Sequence, residues 1–383
     1  MKIGITTFGG DGGKSGISQY IINLLREFAV IAAGDEIEVL VYEDEETIFV
    51  PKVAPFTTLR FPGSLRSTLK NIAWHQTALP KLCRQRGYDV LFLPAGNRRL
   101  PYSAPCPTVG TVHDFSSLHV VGKYDAAHLL YIKRVLPGLV RRLTQVIAVS
   151  ECSKRDIVQY ARVPQEKVQV ILEAADNEMY YPRTDREQLA QAQAKYGIKA
   201  PYLLYVARIE HPGKNHVRLI RAFSRLKAEG RVPGVQLVLA GSDWSGAEAV
   251  HQEAERSPAV RDIRFTGFVA GGDLPLLYSG AEIFVFPSLY EGFGLPILEA
   301  MRCGVPVACA DASSLSEVAG DAAVMFDPAD ECAIAAALET LLTDPQCRAR
   351  WAERGLRHSQ KFTWSETARL TLDLLHATGR RRA

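Results

Sequence analysis

The sequence is short of charge of one sign, of cysteine and of long apolar runs. Its 45 Lys and Arg face 42 Asp and Glu, a formal net charge of +3. That balance is too even to argue for a nucleic-acid partner, and no aromatic-interleaved basic patch or recognition motif speaks for one. The 7 cysteines are scattered and odd in number. With no C-x-x-C pair they suggest neither a zinc site nor a disulfide framework, which fits a reducing cytosol. No Asp-x-Asp pair occurs, and the other His and Asp residues show no metal-ligand spacing. No run approaches the ~18 apolar residues of a membrane-spanning helix. The chain opens on an apolar strand, with no signal peptide expected.

What is present is an ordinary globular composition. A length of 383 residues suits two domains, and 47% hydrophobic content suits a real core. Strand-like runs at 2–7, 37–42, 89–93, 108–112, 146–150 and 168–172 alternate with helical periodicity at 17–32, 65–86, 127–143 and 152–161. After Asp176 a polar, Gln- and Ala-rich stretch with Pro182 reads as a linker plus a short helix. A second strand series follows at 202–206, 236–240, 263–265, 282–286 and 305–309. This alternation is the pattern of βαβ units around parallel sheets. The expected fold class is α/β, with two Rossmann-like, doubly wound domains at 1–175 and 176–364. Such sheets bind ligands at the carboxyl ends of their strands, so two edges facing each other would put the ligand in a central cleft.

The most informative segment is Phe284-Val-Phe-Pro-Ser-Leu-Tyr-Glu-Gly-Phe-Gly-Leu-Pro-Ile-Leu-Glu299. A short apolar run reads as a buried strand, and a Gly-punctuated loop follows. Pro296 then suits the first position of a helix. A strand–loop–helix unit of this kind leaves the N–H groups of Phe293, Gly294 and Leu295 without helical partners. Those donors and the positive end of the helix dipole make an anion site. Two carboxylates bracket it, Glu291 and Glu299, eight positions apart. Donors for a phosphate beside acceptors for hydroxyl hydrogens suit a ligand that is half phosphate and half sugar.

With its Gly-Phe-Gly-Leu-Pro centre and the following Ala300-Met-Arg-Cys-Gly-Val-Pro-Val307, this stretch resembles the glutamate-pair motif of the retaining glycosyltransferases of family 4. These are the glycosyl transferases of group 1, and they have the two-domain GT-B fold. The bland alternative is an ordinary capped helix in a parallel sheet. The resemblance covers most of the chain, and its most specific motifs lie in the second domain. The last helical pattern, 365–376, resembles the GT-B tail that crosses back onto the first domain, so residues 365–383 are expected to pack there.

Other segments take their meaning from residues and resemblance together. Phe8-Gly-Gly-Asp-Gly-Gly-Lys-Ser-Gly16 looks like a phosphate cradle. A Walker A loop would need glycine where Phe8 stands, and a dinucleotide fingerprint would need it at Ser15. A loop whose backbone approaches a ligand remains, or a plain strand–helix turn. In the family such a loop faces the donor diphosphate, with Ser15 and Gly16 at its key small positions. His113 ends a strand at the ligand edge. Alone it reads as a satisfied structural residue; the resemblance implies contact with the donor sugar or phosphate. Asp114 orients His113 or caps the next helix.

Arg208 closes the first strand of the second domain, and Lys214 precedes a helix. Together they could grip one phosphate, by a bidentate fork and a point charge, or they are two solvated cations. The family pattern has both on the diphosphate, although glycine is usual where Ala207 stands. Ser150 is a good N-cap candidate. Gly267-Phe-Val269 resembles the family's nucleobase wall, with backbone groups near Phe268 and Val269 reading the base, and Asp273 is expected to cap the following helix. Lys133, Arg134, Arg141 and Arg142, with the Arg-rich tail at 380–382, either touch anionic lipid or are solvated faces and a frayed end.

The resemblance implies a retaining transfer of a hexose from a nucleotide-sugar to a saccharide or lipid-linked saccharide acceptor. UDP-glucose is favoured as donor on family frequency, with GDP-mannose the alternative. The implied roles are Glu299 on the ribose hydroxyls, Glu291 on the donor sugar, and Arg208 and Lys214 on the leaving diphosphate. No covalent nucleophile stands out, and no cofactor or metal is expected. The compartment expected is the cytoplasm, at the inner membrane face if lipid is touched. Two other classes remain: a non-catalytic nucleotide-sugar-binding subunit, and a GT-B sugar-nucleotide epimerase.

Overall fold

The computed structural model describes residues 1–53, 55–120 and 129–380. Among them two parallel sheets form, each within its own compact unit. One unit takes in Met1–Leu118, a stretch ending at Ala174, and the chain from Thr363; the other holds Ala175–Phe362 with His119 and Val120.

In the first unit the strands are β1 (Lys2–Thr6), β2 (Glu36–Tyr42), β3 (Phe56–Phe61), β4 (Val90–Leu93), β5 (Thr108–Val112), β6 (Gln145–Ala148) and β7 (Val168–Val170). Their order across the sheet is β3-β2-β1-β4-β5-β6-β7, all parallel. The central strands are nearly continuous apolar runs because helices cover both faces. β3 was not expected from the sequence. Its Phe-Thr-Thr-Leu-Arg-Phe pattern is partly exposed, as suits an edge strand. The helix expected at 127–143 begins outside the described residues. Its described part is a π-helical turn, Tyr131–Val135, running into the α-helix Leu136–Arg142.

The C-terminal helix Trp364–Arg380 belongs to this first unit. Thr367 Oγ1 donates to the Leu172 carbonyl at 2.7 Å, and the Trp364 ring meets Tyr20 edge-on at 5.9 Å.

The second unit contains β8 (Tyr202–Val206), β9 (Gln236–Ala240), β10 (Ile263–Gly267), β11 (Ile283–Phe286), β12 (Val307–Ala310) and β13 (Val324–Phe326). The order is β10-β9-β8-β11-β12-β13, again all parallel. Both sheets are doubly wound. The winding reverses between β1 and β4 in one and between β8 and β11 in the other. Loops leaving those paired strands diverge at the carboxyl edge and open a crevice there, which is where such sheets bind ligands.

Candidate active site

The crevice of the second unit is bounded by the loops after β8 and β11. These carry Arg208, Lys214 and Glu291, and the β11 loop leads into the helix Leu295–Arg302. Gly294, its N-cap, has φ +109°, and a Cβ there would stand 2.7 Å from Leu315 Cδ2. Only glycine fits this turn. Pro296 lies in the helix's first turn. Among the described residues the N–H groups of Phe293, Gly294 and Leu295 meet no acceptor, and they lie at the positive end of the helix dipole. The loop itself is tied down. Glu291 N–H donates to Ser313 Oγ at 3.0 Å, and the Ser314 hydroxyl reaches the carbonyls of Glu291 and Phe293 at 2.9 and 2.8 Å.

Lys214 is brought to Glu291 by the β8 loop. The Tyr205 hydroxyl donates to the Lys214 carbonyl at 2.7 Å, and Leu289 N–H donates to the Gly213 carbonyl at 2.9 Å, knitting the two loops together. The Lys214 ammonium then donates to Glu291 Oε1 at 2.5 Å. An ammonium has three donors, so others remain for an anion. Asn215 follows in the left-handed region, at φ 59°, and starts the helix His216–Ala228; its amide holds the carbonyls of Pro287 and Pro328.

Arg208 lies with its guanidinium carbon 4.8 Å above the Trp244 ring. Trp244 sits on the loop after β9 and is itself held by an N–H bond to the Ile209 carbonyl at 2.9 Å. Among the described residues no carboxylate pairs with Arg208. The sequence reading did not single out Trp244.

Glu299 stands on the second turn of the helix Leu295–Arg302. Tyr278 Oη donates to its Oε2 at 2.9 Å. Burial pushes its carboxyl up to about 7; hydrogen bonds from Tyr278 and Tyr180 offset part of the rise and Asp176 adds to it. As a residue Glu299 is half-buried. Phe268 and Val269 follow β10, two strands away from the crevice strand β8. Phe268 is exposed and Val269 buried, after Gly267 at φ 69°. Asp273 does not cap its helix through its side chain. Its Oδ2 instead accepts from Lys195 Nζ at 2.6 Å and Tyr196 Oη at 2.7 Å, two partners that outcompete a backbone N–H.

The first unit arranges its expected residues differently. Ser15 and Gly16 begin the helix Gly16–Ile31, but an internal anion already occupies that end. Asp11 Oδ1 accepts from Ser15 N–H at 2.8 Å, Lys14 N–H at 3.1 Å and the Ser18 hydroxyl at 2.8 Å. Burial opposes the charge, yet the bonds from Ser18 and Ser15 hold the Asp11 carboxyl below its usual range.

His113 is buried, with Nδ1 3.0 Å from Glu173 Oε1 and Nε2 2.9 Å from the Pro94 carbonyl. Both ring nitrogens have partners inside the unit, so contact with a donor would require one bond to open. Asp114 Oδ1 accepts from the N–H and hydroxyl of Ser116 and caps the short helix there. Ser150 caps the helix Glu151–Ala161 by accepting from Ser153 N–H at 3.0 Å.

Of the basic residues considered for lipid, Lys133, Arg134, Arg141 and Arg142 are all exposed. Arg141 and Arg142 also have protein partners, the Ala161 carbonyl and the Tyr102 hydroxyl. Residues 381 and 382 lie outside the described residues. Among the described residues no helix is long and apolar enough to cross a membrane.

Comparison with known proteins identifies the family and the fold. The glycosyl transferases group 1 family matches residues 186–358, and glycosyltransferase family 4 matches residues 14–178. O-antigen chain mannosyltransferase B of Escherichia coli is 35% identical over 265 residues, 69% of each chain. The serotype-specific mannosyltransferase WbdA of Escherichia coli is 34% identical over 233 residues, 61% of this chain and 28% of that protein. Among solved structures, Anabaena HepE in complex with UDP and glucose superposes with a TM-score of 0.75 at 22% identity, covering 98% of this chain and 100% of that one. Sucrose-phosphate synthase from Thermosynechococcus elongatus gives 0.75 at 20% identity, with full coverage of both chains. These likenesses share the GT-B fold.

Proposed function

The chain belongs to the glycosyl transferases of group 1, family 4, and from that premise we propose that it moves mannose from GDP-mannose, with retention, to a saccharide or lipid-linked saccharide. The choice of sugar rests on the relatives above 30% identity whose names specify mannosyl transfer. The UDP complexes belong to structures at 22% identity or below, too distant to carry donor identity. This reverses the preference for UDP-glucose drawn from family frequency alone.

The observation that carries the reading is the cation pair at the crevice of the second unit. Lys214 and Arg208 come from one loop, and Lys214 is paired with Glu291 on the loop that leads into a helix N-terminus with unengaged N–H groups. When the glycosidic bond to the diphosphate breaks, negative charge grows on the phosphates. Fixed cations and backbone donors stabilise that charge without reorganising, a contribution of several kcal/mol in sites of this kind. Glu299 accepts a ribose hydroxyl. Glu291, held by Lys214, accepts from a hydroxyl of the transferred sugar. The leaving phosphate receives the acceptor proton on the same face of the sugar, so the anomeric configuration is kept. Charge is met by side chains and backbone, so no divalent metal takes part. Membrane contact through Lys133 and Arg134 belongs to the same reading, the two exposed cations being the ones without a protein partner among the described residues.

The test is product analysis with GDP-mannose and a mannoside acceptor. Early proton NMR of the product should show an α-linked mannose, the donor's own configuration. An inverted linkage would refute the mechanism. Donor isomerisation without transfer would instead identify an epimerase.

A further inference from the structure

Glu291 is gripped on both sides of its Cα by a single turn, the one that follows β12. Its N–H donates to the Ser313 hydroxyl at 3.0 Å, and its carbonyl accepts from the Ser314 hydroxyl at 2.9 Å. Each bond pins one of the two peptide planes that meet at that Cα. With both planes fixed, the direction of the Cα–Cβ bond is fixed as well, and only side-chain torsions remain. The same turn continues along the β11 loop. Ser314 also donates to the Phe293 carbonyl, and Leu315 closes the space beside Gly294.

Ser313 makes its bond from a conformation that serine avoids. Its φ is 53°, in the left-handed region, where an L side chain crowds its own backbone. Among the described residues only Arg162 and Asn215 share a positive φ without being glycine. Glycine would take this φ at no steric cost. What glycine cannot supply is the hydroxyl. The turn is held in place from outside: Asp311 N–H donates to the Phe326 carbonyl at 2.8 Å, and the Ser316 hydroxyl donates to Asp311 Oδ1 at 2.5 Å. Leu315 N–H closes it on the Ala312 carbonyl at 3.1 Å. Strain persists where the surroundings over-determine it in this way, and it gathers at functional sites.

We propose that Ser313 is a positioning residue for the transfer, and that its hydroxyl aims the Glu291 carboxylate at the transferred sugar. Lys214 holds the far end of that side chain, through the 2.5 Å bond to Oε1. Ser313 holds the near end, at the backbone. Without its hydroxyl the ion pair can still form, but the peptide plane before Glu291 is free to rock, and the carboxylate swings with it. The loss falls on the chemical step, because Glu291 faces the sugar and not the nucleotide. This role rests on the transferase reading of the crevice.

The test separates the hydroxyl from the strain. Ser313→Ala removes the hydroxyl and keeps the crowding; Ser313→Gly removes both. The probes are GDP-mannose and, in parallel, UDP-glucose, each with a mannoside acceptor. With the donor that the parent chain uses, kcat should fall about tenfold in both variants, the scale of a small misplacement. GDP affinity should stay within a factor of about two of the parent, which also shows that both variants fold. Ser313→Gly should melt above Ser313→Ala, because only the alanine is strained at this φ. Hydrogen exchange of the peptide 289–293, followed by mass spectrometry, should be faster in both variants. The role is overturned if Ser313→Gly turns over like the parent, if kcat follows melting temperature and not the hydroxyl, or if GDP affinity falls along with kcat. Unchanged exchange in both variants overturns it too, whatever the donor. A parent chain that transfers only glucose defeats the choice of GDP-mannose and leaves the kcat comparison in force. One that transfers neither sugar defeats the transferase reading, and with it any role in transfer, while the exchange result still reports on the bond itself.

Discussion

Lys214 and Glu291 form an ion pair across 77 residues of sequence, with an N–O distance of 2.5 Å and side chains 19% and 17% exposed. Each is therefore largely withdrawn from water, and each positions the other. Removing only one leaves a charge without its partner in a poorly solvated place. Lys214→Ala should lower turnover at least tenfold, about 1.4 kcal/mol in the barrier. It should also lower thermal stability, and adding Glu291→Ala should recover part of that loss. A double variant no more stable than Lys214→Ala would mean the pair is not coupled.

Glu291→Ala alone should reduce turnover more than nucleotide affinity, because its proposed partner is the sugar. Titrations with GDP and with GDP-mannose check this. Equal weakening for both ligands would place Glu291 on the nucleotide instead.

The Arg208 guanidinium lies over the Trp244 ring. A cation over an exposed aromatic ring is worth about 0.5–1 kcal/mol. Trp244→Leu should therefore raise the donor KM by about two- to fivefold and leave kcat within a factor of two. Steady-state kinetics with varied donor measure it. A loss confined to kcat would contradict a positioning role.

Glu299 gives a pH dependence whose sign follows from its environment. Its carboxyl has an ordinary value of 4.5 and burial raises it to about 7 in the folded chain. Between those values the folded state holds a proton that the unfolded state has lost, so stability declines as pH climbs through that window. Glu299→Gln mimics the neutral acid. It should raise the melting temperature of the ligand-free protein at pH 8 and change it little at pH 4.5. Ribose hydroxyls, in contrast, prefer the ionised acceptor. The nucleotide affinity lost in Glu299→Gln should be about 1.5–3 kcal/mol at pH 8 and smaller at pH 6. The same loss at both pH values would remove Glu299 from the ribose.

The sequence revealed the elements whose chemistry is local. β8 and β11 are short apolar runs, and the loop after β11 announces itself through glycine, proline and glutamate at fixed spacing. β3 and β13 were missed for physical reasons. β3 mixes Thr and Arg with Phe because it is a partly exposed edge, and β13, an edge of the other sheet, has only three residues. The charged site residues could be named because cations and carboxylates suit few other roles in that pattern. Their supports could not. Trp244 under Arg208, Tyr278 on Glu299 and Glu173 on His113 arrive from distant elements, and no local pattern marks them. Asp11 shows the converse. Its glycine-rich loop reads as a phosphate cradle, yet the structure fills the helix end with the loop's own carboxylate.

The proposed function meets charge on the leaving group with Lys214, Arg208 and the helix N-terminus, and without a metal. Turnover should then persist in excess EDTA. If EDTA abolishes it and Mg²⁺ or Mn²⁺ restores it, a metal carries the leaving group and the cation pair does not.

The most direct test of the donor assignment is a melting-temperature titration of the full chain and its Lys214→Ala variant with GDP-mannose and UDP-glucose. A ligand at 100 times its Kd adds about 2.7 kcal/mol to stability, an effect large enough to read. GDP-mannose should raise the melting temperature at lower concentration than UDP-glucose, and Lys214→Ala should shift that response to at least tenfold higher concentration. A chain that responds to neither nucleotide-sugar, or to UDP-glucose first, or equally with and without Lys214, would contradict the account.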